Sequence, residues 1–205
     1  MRFDSISAAI SDLKRGRFVI VVDAQNRENE GDLVLASEFA TAQKLNFMVT
    51  NCRGLLCAPI TAQKALQLEL PMMTVDSTDT FQTPFTLSVD PANGSSGISV
   101  QNRLRALRIL LSDTSKPSAL SRPGHLFPLV GRSGGVLERT GHTEAALDLL
   151  SLAKRKPVGI ICEILDERGE PANAKRLGAF ARKNRFRIVS IQDLIAYRLK
   201  QSAQI

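Results

Sequence analysis

Phe18-Val19-Ile20-Val21-Val22, a short polar interval, then Arg27-Glu28-Asn29-Glu30-Gly31-Asp32 running into Leu33-Val34-Leu35-Ala36 is the stretch that decides the fold. The first run is continuously apolar and rich in β-branched side chains, which reads as a strand buried in a sheet. Leu33–Ala36 reads as the next strand. Between them stand three carboxylates at alternate positions, Glu28, Glu30 and Asp32, with Arg27 and Gly31 among them. Carboxylates packed this closely repel one another, and a fold keeps them when a cation, a proton or a charged ligand group relieves the repulsion. The segment therefore reads equally as a hard-metal and acid–base site for a phosphorylated or polyhydroxylated substrate, or as a solvated turn between two strands.

Working outward, strands and helices alternate. Ile6, Ala9, Ile10 and Leu13 recur at helical spacing and predict an amphipathic helix over 5–15. Thr41 is the expected N-cap of a helix reaching to about 52, and Thr61 of a short helix that follows a buried strand over 55–60. Residues 85–89 alternate like a strand, 91–97 are turn-rich, and Ser99 is placed to cap a helix to about 111. A loop holding Ser121-Arg122-Pro123-Gly124-His125 precedes a strand over 126–130 and a Gly134-Gly135 turn. Helices are expected over 143–153 and 174–183, strands over 158–163 and at 188–189, and Ser190 with Asp193 resembles a capping box for a last helix. No repeat or linker interrupts the series. The fold class expected is α+β: one layered α/β/α domain over residues 1–205, with a mixed β-sheet flanked by helices.

The composition sets limits. The chain has 205 residues, 43% hydrophobic and 23% charged, enough for a real core. No apolar run approaches the roughly eighteen residues of a membrane helix, and the Met1-Arg2-Phe3-Asp4 start lacks the apolar centre of a signal peptide. Three cysteines, Cys52, Cys57 and Cys162, lack metal-finger spacing and suit a reducing compartment, so a cytoplasmic protein is expected. A net charge of +7 raises nucleic-acid binding. The basic residues are dispersed, however, outside the run Lys175, Arg176, Arg182, Lys183, Arg185 and Arg187. With one Tyr and no Trp there is little to stack on bases. The positive surface serves equally to steer a small anionic substrate.

Only two histidines exist, both beside glycines: His125 after Arg122-Pro123-Gly124, and His142 within Arg139-Thr140-Gly141-His142-Thr143-Glu144. The second segment precedes an apolar-periodic helix, whose N-terminus offers free N–H groups and a partial positive charge to a phosphate. Arg139 and the Thr143 hydroxyl would add donors, with His142 holding a metal beside the phosphate. The plainer alternative has Thr143 capping the helix and His142 in solvent. Glu163 ends a core strand, so it either reaches into a cleft for proton transfer or is ion-paired. Cys57, within an apolar strand, reads by default as a buried structural thiol.

Taken together, these blocks resemble 3,4-dihydroxy-2-butanone 4-phosphate synthases. The similarity is carried by Val22-Asp23-Ala24-Gln25-Asn26-Arg27-Glu28-Asn29-Glu30-Gly31-Asp32-Leu33 with Ala36-Ser37-Glu38, by Arg53-Gly54-Leu55-Leu56-Cys57, and by Ser96-Gly97-Ile98-Ser99. Arg122-Pro123-Gly124-His125, Gly134-Gly135-Val136-Leu137, Arg139–Ala145 and Cys162-Glu163 complete it in the family's order, from about residue 4 to 198. The resemblance implies conversion of D-ribulose 5-phosphate to 3,4-dihydroxy-2-butanone 4-phosphate and formate with two magnesium ions per site, manganese being an alternative. It implies Glu28 and His142 as metal ligands, and Arg27 and Asp32 on the sugar phosphate, Asp32 also carrying a proton. Arg139, Thr140, Gly141, His142 and Thr143 would cradle the phosphate. His125 and Glu163 match catalytic positions. It further implies a homodimer with active sites at the interface and His125 acting across it. Membrane association is not implied, nor is the GTP cyclohydrolase II activity fused to this domain in some relatives, for which no cysteine cluster is present. Five positions depart from the usual pattern: Ala24 and Gln25 replace acids of a mobile lid, Asn102 replaces an aspartate, Lys154 a glycine and Pro84 an alanine. These departures leave open a slower synthase, or an impaired paralogue that binds sugar phosphates or serves as an interaction subunit.

Overall fold

The computed structural model describes residues 2–92 and 94–202; Asn93, in the expected 91–97 turn, lies outside them. In chain order the strands are β1 (Val19–Val22), β2 (Gly31–Ala36), β3 (Cys57–Ile60), β4 (Val89–Pro91), β5 (Leu120–Val130), β6 (Gly159–Glu163) and β7 (Arg187–Ser190). The helices are α1 (Ile6–Lys14), α2 (Ala42–Asn51), α3 (Ala62–Gln67), α4 (Val100–Leu111), α5 (His142–Leu152), α6 (Ala174–Asn184) and α7 (Ile191–Ser202). The strands form one sheet in the order β4-β5-β3-β6-β2-β1-β7. It is mixed: β1 pairs antiparallel with β2 and parallel with β7, and β3 pairs parallel with β5 and antiparallel with β6. The expected α+β class and layered arrangement hold.

The continuous apolar runs are explained by burial on both faces. On one face Ile20, Val22, Leu33, Leu35, Ile160 and Cys162 pack with α2, α4 and α6. On the other, Val19, Val21, Val34, Cys57 and Ile161 meet Ile6, Ala9 and Leu13 of α1, Ala145, Ala146 and Leu149 of α5, and Leu194 of α7. Thr41, Thr61 and Ser99 cap α2, α3 and α4 as expected, each accepting an N–H three residues on. Ser190 Oγ donates to Asp193 Oδ2 and accepts the Asp193 N–H, bearing out the capping pair.

Four boundaries differ from expectation, and each follows from tertiary pairing. β2 begins at Gly31, not Leu33, because Val22 pairs with Gly31 and Glu163 with Asp32. Asp32 is therefore a strand residue and the solvated-turn alternative fails there. The loop around His125 is instead part of the eleven-residue β5, whose Leu120–Ser121 end pairs with β4. The strand expected over 85–89 is reduced to isolated bridges at Phe85 and Thr86, with β4 starting at Val89. Finally, α5 starts at His142, with Gly141 and not Thr143 at its N-cap.

Candidate active site

Four elements end at one edge of the sheet and deliver the site: the C-terminal ends of β1 and β6 and the N-terminal ends of β2 and β3. Asp23, the residue after β1, organises the loop that leads to β2. Its Oδ1 accepts the Glu30 N–H at 2.8 Å; its Oδ2 accepts the Glu28 N–H and an Arg27 Nη1 hydrogen at 3.0 Å each. Its side chain is 1% exposed. These bonds curl 23–30 into a tight loop in which Asn29 takes the left-handed conformation that Asn tolerates. The loop sets Glu28 and Glu30 beside Asp32. Asp32 shares its side of β2 with Val34, hence the α5 face, and its register partner Glu163 lies on the same side. Glu163 is steadied by the Leu55 N–H, 2.7 Å from Oε2. A Cβ at Gly54 would stand 2.5 Å from that carboxylate oxygen, so the close approach requires glycine.

α5 points its N-terminus at these acids. No side chain caps it, so its first-turn N–H groups face the cavity with the positive end of the helix dipole. His142, buried, has Nδ1 3.8 Å from Glu28 Oε2 and 3.9 Å from Asp32 Oδ1, too long for hydrogen bonds. Its Nε2 and Asp32 Oδ1 are buried without any partner. Asp23, Glu28 and His142 each place a ligand atom within 4.8 Å of the others. Two orphaned buried polar atoms beside a carboxylate–imidazole set fit a divalent cation with oxygen and nitrogen ligands. Arg139 is clamped from two sides: Nη1 donates to the fully buried Glu144 at 2.7 Å, while Nε and Nη2 donate to the Phe81 carbonyl. A Cβ on Gly141 would come 2.0 Å from Arg139 Nη1, so the turn before α5 admits only glycine while Arg139 stays in place.

The electrostatics follow from crowding. Burial, opposed by His142 and reinforced by Glu163, Glu30 and Glu28, pushes the Asp32 carboxyl far above its usual range. Burial and neighbouring acids likewise raise Glu30, and burial raises Glu163 against the bonds to its carboxylate. For Glu28 burial also raises, but His142 and Arg27, the latter ion-paired to it, outweigh burial and hold the carboxyl low. His142 is disfavoured as a cation by burial, yet Asp32, Glu28 and Asp23 lift it to about 9. Burial raises the Cys57 thiol well above its ordinary value, as befits an unreactive packing group.

These side chains enclose a cavity of about 50 Å³. Of the expected site residues, Arg27, Glu28, Asp32, Arg139, His142, Thr143 and Glu163 line it. Thr140 and Gly141 form the turn leading into it. His125 does not line it: its ring bonds Asp90 (Nδ1 to Oδ2, 2.7 Å) and its N–H donates to Asp90 Oδ1, on β5 beside β4. Glu30, one of the three alternate carboxylates but given no role of its own in the sequence, also lines the cavity. Sequence reasoning passed over Thr83 and the organising Asp23; Asp23 carried the same signal that singled out Glu163, an acid at the end of a buried strand. A far larger groove, about 840 Å³, runs along α6 and β7. Its Arg187 and Arg17 are paired to Asp4 and Asp12, and none of its described side chains holds an orphaned buried atom.

The departures also find places. Ala24 and Gln25 line a separate hollow with Phe3, Leu177 and Gln192 on the far side of the loop, not the acidic cavity. Asn102 Nδ2 donates to Ser95 Oγ and to the Ser96 carbonyl, the latter at 2.6 Å, which an aspartate could not do.

A sequence profile of 3,4-dihydroxy-2-butanone 4-phosphate synthase matches residues 7–197. The chain belongs to the 3,4-dihydroxy-2-butanone 4-phosphate synthase family. It is 48% identical over 201 residues to the riboflavin biosynthesis protein RibBA of Synechocystis sp., covering 97% of this chain and 36% of that protein. It is 45% identical to the 3,4-dihydroxy-2-butanone 4-phosphate synthase of Hamiltonella defensa, covering 94% of this chain and 89% of that one. Among crystal structures, a synthase in complex with two magnesium ions superposes with a TM-score of 0.91 at 38% identity, covering 99% of this chain and all of that one. The chain thus spans about a third to a half of the RibBA proteins it matches, and most of the shorter synthase.

Proposed function

We propose that this chain converts D-ribulose 5-phosphate to 3,4-dihydroxy-2-butanone 4-phosphate and formate, the four-carbon precursor step of riboflavin synthesis. The observation that carries this reading is the convergence of Glu28, Asp32, Glu163 and His142 on the uncapped N-terminus of α5 beside Arg139, in a member of the synthase family. The substrate phosphate would take the first-turn N–H groups of α5, the Thr143 hydroxyl and the remaining Arg139 N–H groups. That end fixes the sugar chain toward the acids, with Arg27 closing over it. Asp32 is placed to move a proton, because its Oδ1 has no partner and burial keeps its carboxyl protonated toward working pH. Glu163, also raised by burial and set by the Leu55 N–H, supplies a second acid–base group on the same face. Magnesium, two ions per site with manganese as an alternative, would be held by Glu28 and His142 and would supply the Lewis acidity that makes a carbon next to a ketone acidic.

His125, aligned by Asp90 but outside the cavity, is read as acting in the site of a second copy, which makes the functional unit a homodimer. We read residues 1–205 as a single cytoplasmic domain, consistent with three free, buried cysteines. No described helix is long and apolar enough to cross a membrane. The deciding measurement is formate release from ribulose 5-phosphate with magnesium. Release well above that of a Glu28→Ala control is expected, and release no greater than the control overturns the reading.

A further inference from the structure

One segment touches both site arginines without belonging to any strand or helix. Residues 71–87 leave the body of the fold and return to it, tied at the base by the Leu87 N–H on the Pro71 carbonyl, the Met73 N–H on the Phe85 carbonyl and the Met72–Thr86 bridge. At its tip Asp79 accepts the Phe81 N–H at 3.1 Å and the Thr83 N–H at 2.7 Å. Those two bonds hold the half-buried Asp79 carboxyl below its usual range, against the opposing effect of burial. They brace the turn on either side of the Phe81–Gln82 peptide, whose own N–H bonds the Asp79 main-chain carbonyl at 3.1 Å. The Phe81 carbonyl takes both Nε and Nη2 of Arg139, at 3.2 and 2.9 Å, and its ring lies 5.2 Å from the Arg27 guanidinium carbon. Of the five N–H groups of Arg139, three are thereby committed to Phe81 and Glu144, and two remain for a ligand.

We propose that Asp79 and Phe81 are positioning residues that hold Arg139 and Arg27 in the orientation in which they receive the phosphate of the substrate. The proposal rests on reading Arg139–Thr143 as the phosphate cradle. An arginine side chain loses much rotamer freedom when it is ordered, so one ordered beforehand binds an anion more tightly. The planar guanidinium of Arg27, ion-paired at its edge to Asp23 and Glu28, gains a flat apolar cover from the ring. The two arms separate by mutation. Asp79→Ala removes the two side-chain bonds that brace the turn, leaving only the Gln82 N–H on the main-chain carbonyl of residue 79, and so loosens the Phe81 carbonyl and acts on Arg139, whereas Phe81→Ala leaves the carbonyl and removes the cover of Arg27.

The test measures steady-state kinetics with ribulose 5-phosphate, competitive inhibition by inorganic phosphate, and calorimetric binding of inorganic phosphate to the magnesium-loaded protein. Each alanine variant should raise KM, the inhibition constant and the phosphate Kd roughly tenfold. Expected kcat stays within about twofold, and Phe81→Tyr, which keeps the ring, restores wild-type values. Unchanged phosphate affinity in both variants, or a fall in kcat with KM unmoved, overturns the assignment. A wild-type chain that binds phosphate but releases no formate overturns the synthase reading alone, because the calorimetric comparison still decides whether Asp79 and Phe81 position the arginines.

Discussion

Asp32 shows how one residue's role depends on the element that carries it. In a turn it would be an ordinary surface acid; in β2, opposite Glu163 and below His142, it is buried with one oxygen unpartnered. Its raised carboxyl, with those of Glu30 and Glu163 and the raised imidazole of His142, means that the folded protein holds more protons than the unfolded chain. Stability must then fall as pH rises, from above the ordinary carboxylate range up through about 9, where His142 loses its proton. Glu28, held low, opposes this only on the acid side, where it loses its contribution. A divalent cation replaces those protons, so excess magnesium should abolish the fall. Thermal midpoints at about pH 6.5 and about pH 9, with and without magnesium, check this; a midpoint that rises with pH in the cation-free protein contradicts it. The acids themselves were legible in the sequence, because alternate carboxylates are conspicuous. Their state of protonation was not, since it is set by neighbours that arrive from β6 and α5.

Lys154 illustrates the scale of the element. α5 ends with the Arg155 N–H on the Leu150 carbonyl and the Lys154 N–H on the Ser151 carbonyl, the Schellman pattern, which puts Lys154 at φ 54°. A β-carbon in the left-handed region costs roughly 1 kcal/mol. Lys154→Gly should therefore stabilise the protein, raising the thermal midpoint by about 2–4 °C, with kinetics unchanged because the residue lies at the far end of the helix from His142. An unchanged or lower midpoint would show that the Lys154 side chain compensates for its backbone. Capping was the most legible feature at this scale: Thr41, Thr61, Ser99 and Ser190 act locally, within three residues of themselves. α5 starts one residue before the expected position because Gly141 at its N-cap has no side chain to accept an N–H and marks the boundary less distinctly than the Thr or Ser caps do. That residue separates a solvent-exposed histidine from one buried in the site.

Across the whole molecule, the separation of His125 from the acidic cavity is the fact to be explained. A shared site makes a specific prediction: His125→Ala and Glu28→Ala proteins, each inactive alone, regain about a quarter of wild-type formate release when unfolded together and refolded as an equal mixture, since half the dimers are mixed and each holds one intact site. No recovery would place His125 outside the chemistry of a neighbouring copy. The exposed Met72, Met73, Val75 and Ile98 lie in the 71–87 loop and the turn before α4, not in the core. The net charge of +7 agrees with an anionic substrate and requires no nucleic acid.

The sequence by itself determined the alternation of strands and helices, the burial of both sheet faces, the caps and the identity of the acids and histidines. All of these are written in local pattern: apolar runs, 3.6-residue spacing and short polar side chains at fixed offsets. The tertiary structure alone decided which of those groups meet. Strand pairing extended β2 to Gly31 and joined Asp32 to Glu163, and helix packing brought His142 over them. The 71–87 loop tied Phe81 to two arginines distant from it in sequence. Such contacts span tens to more than a hundred residues, and no local periodicity encodes them. Their energies come from burial and charge in a shared cavity, which exists only once the sheet is assembled.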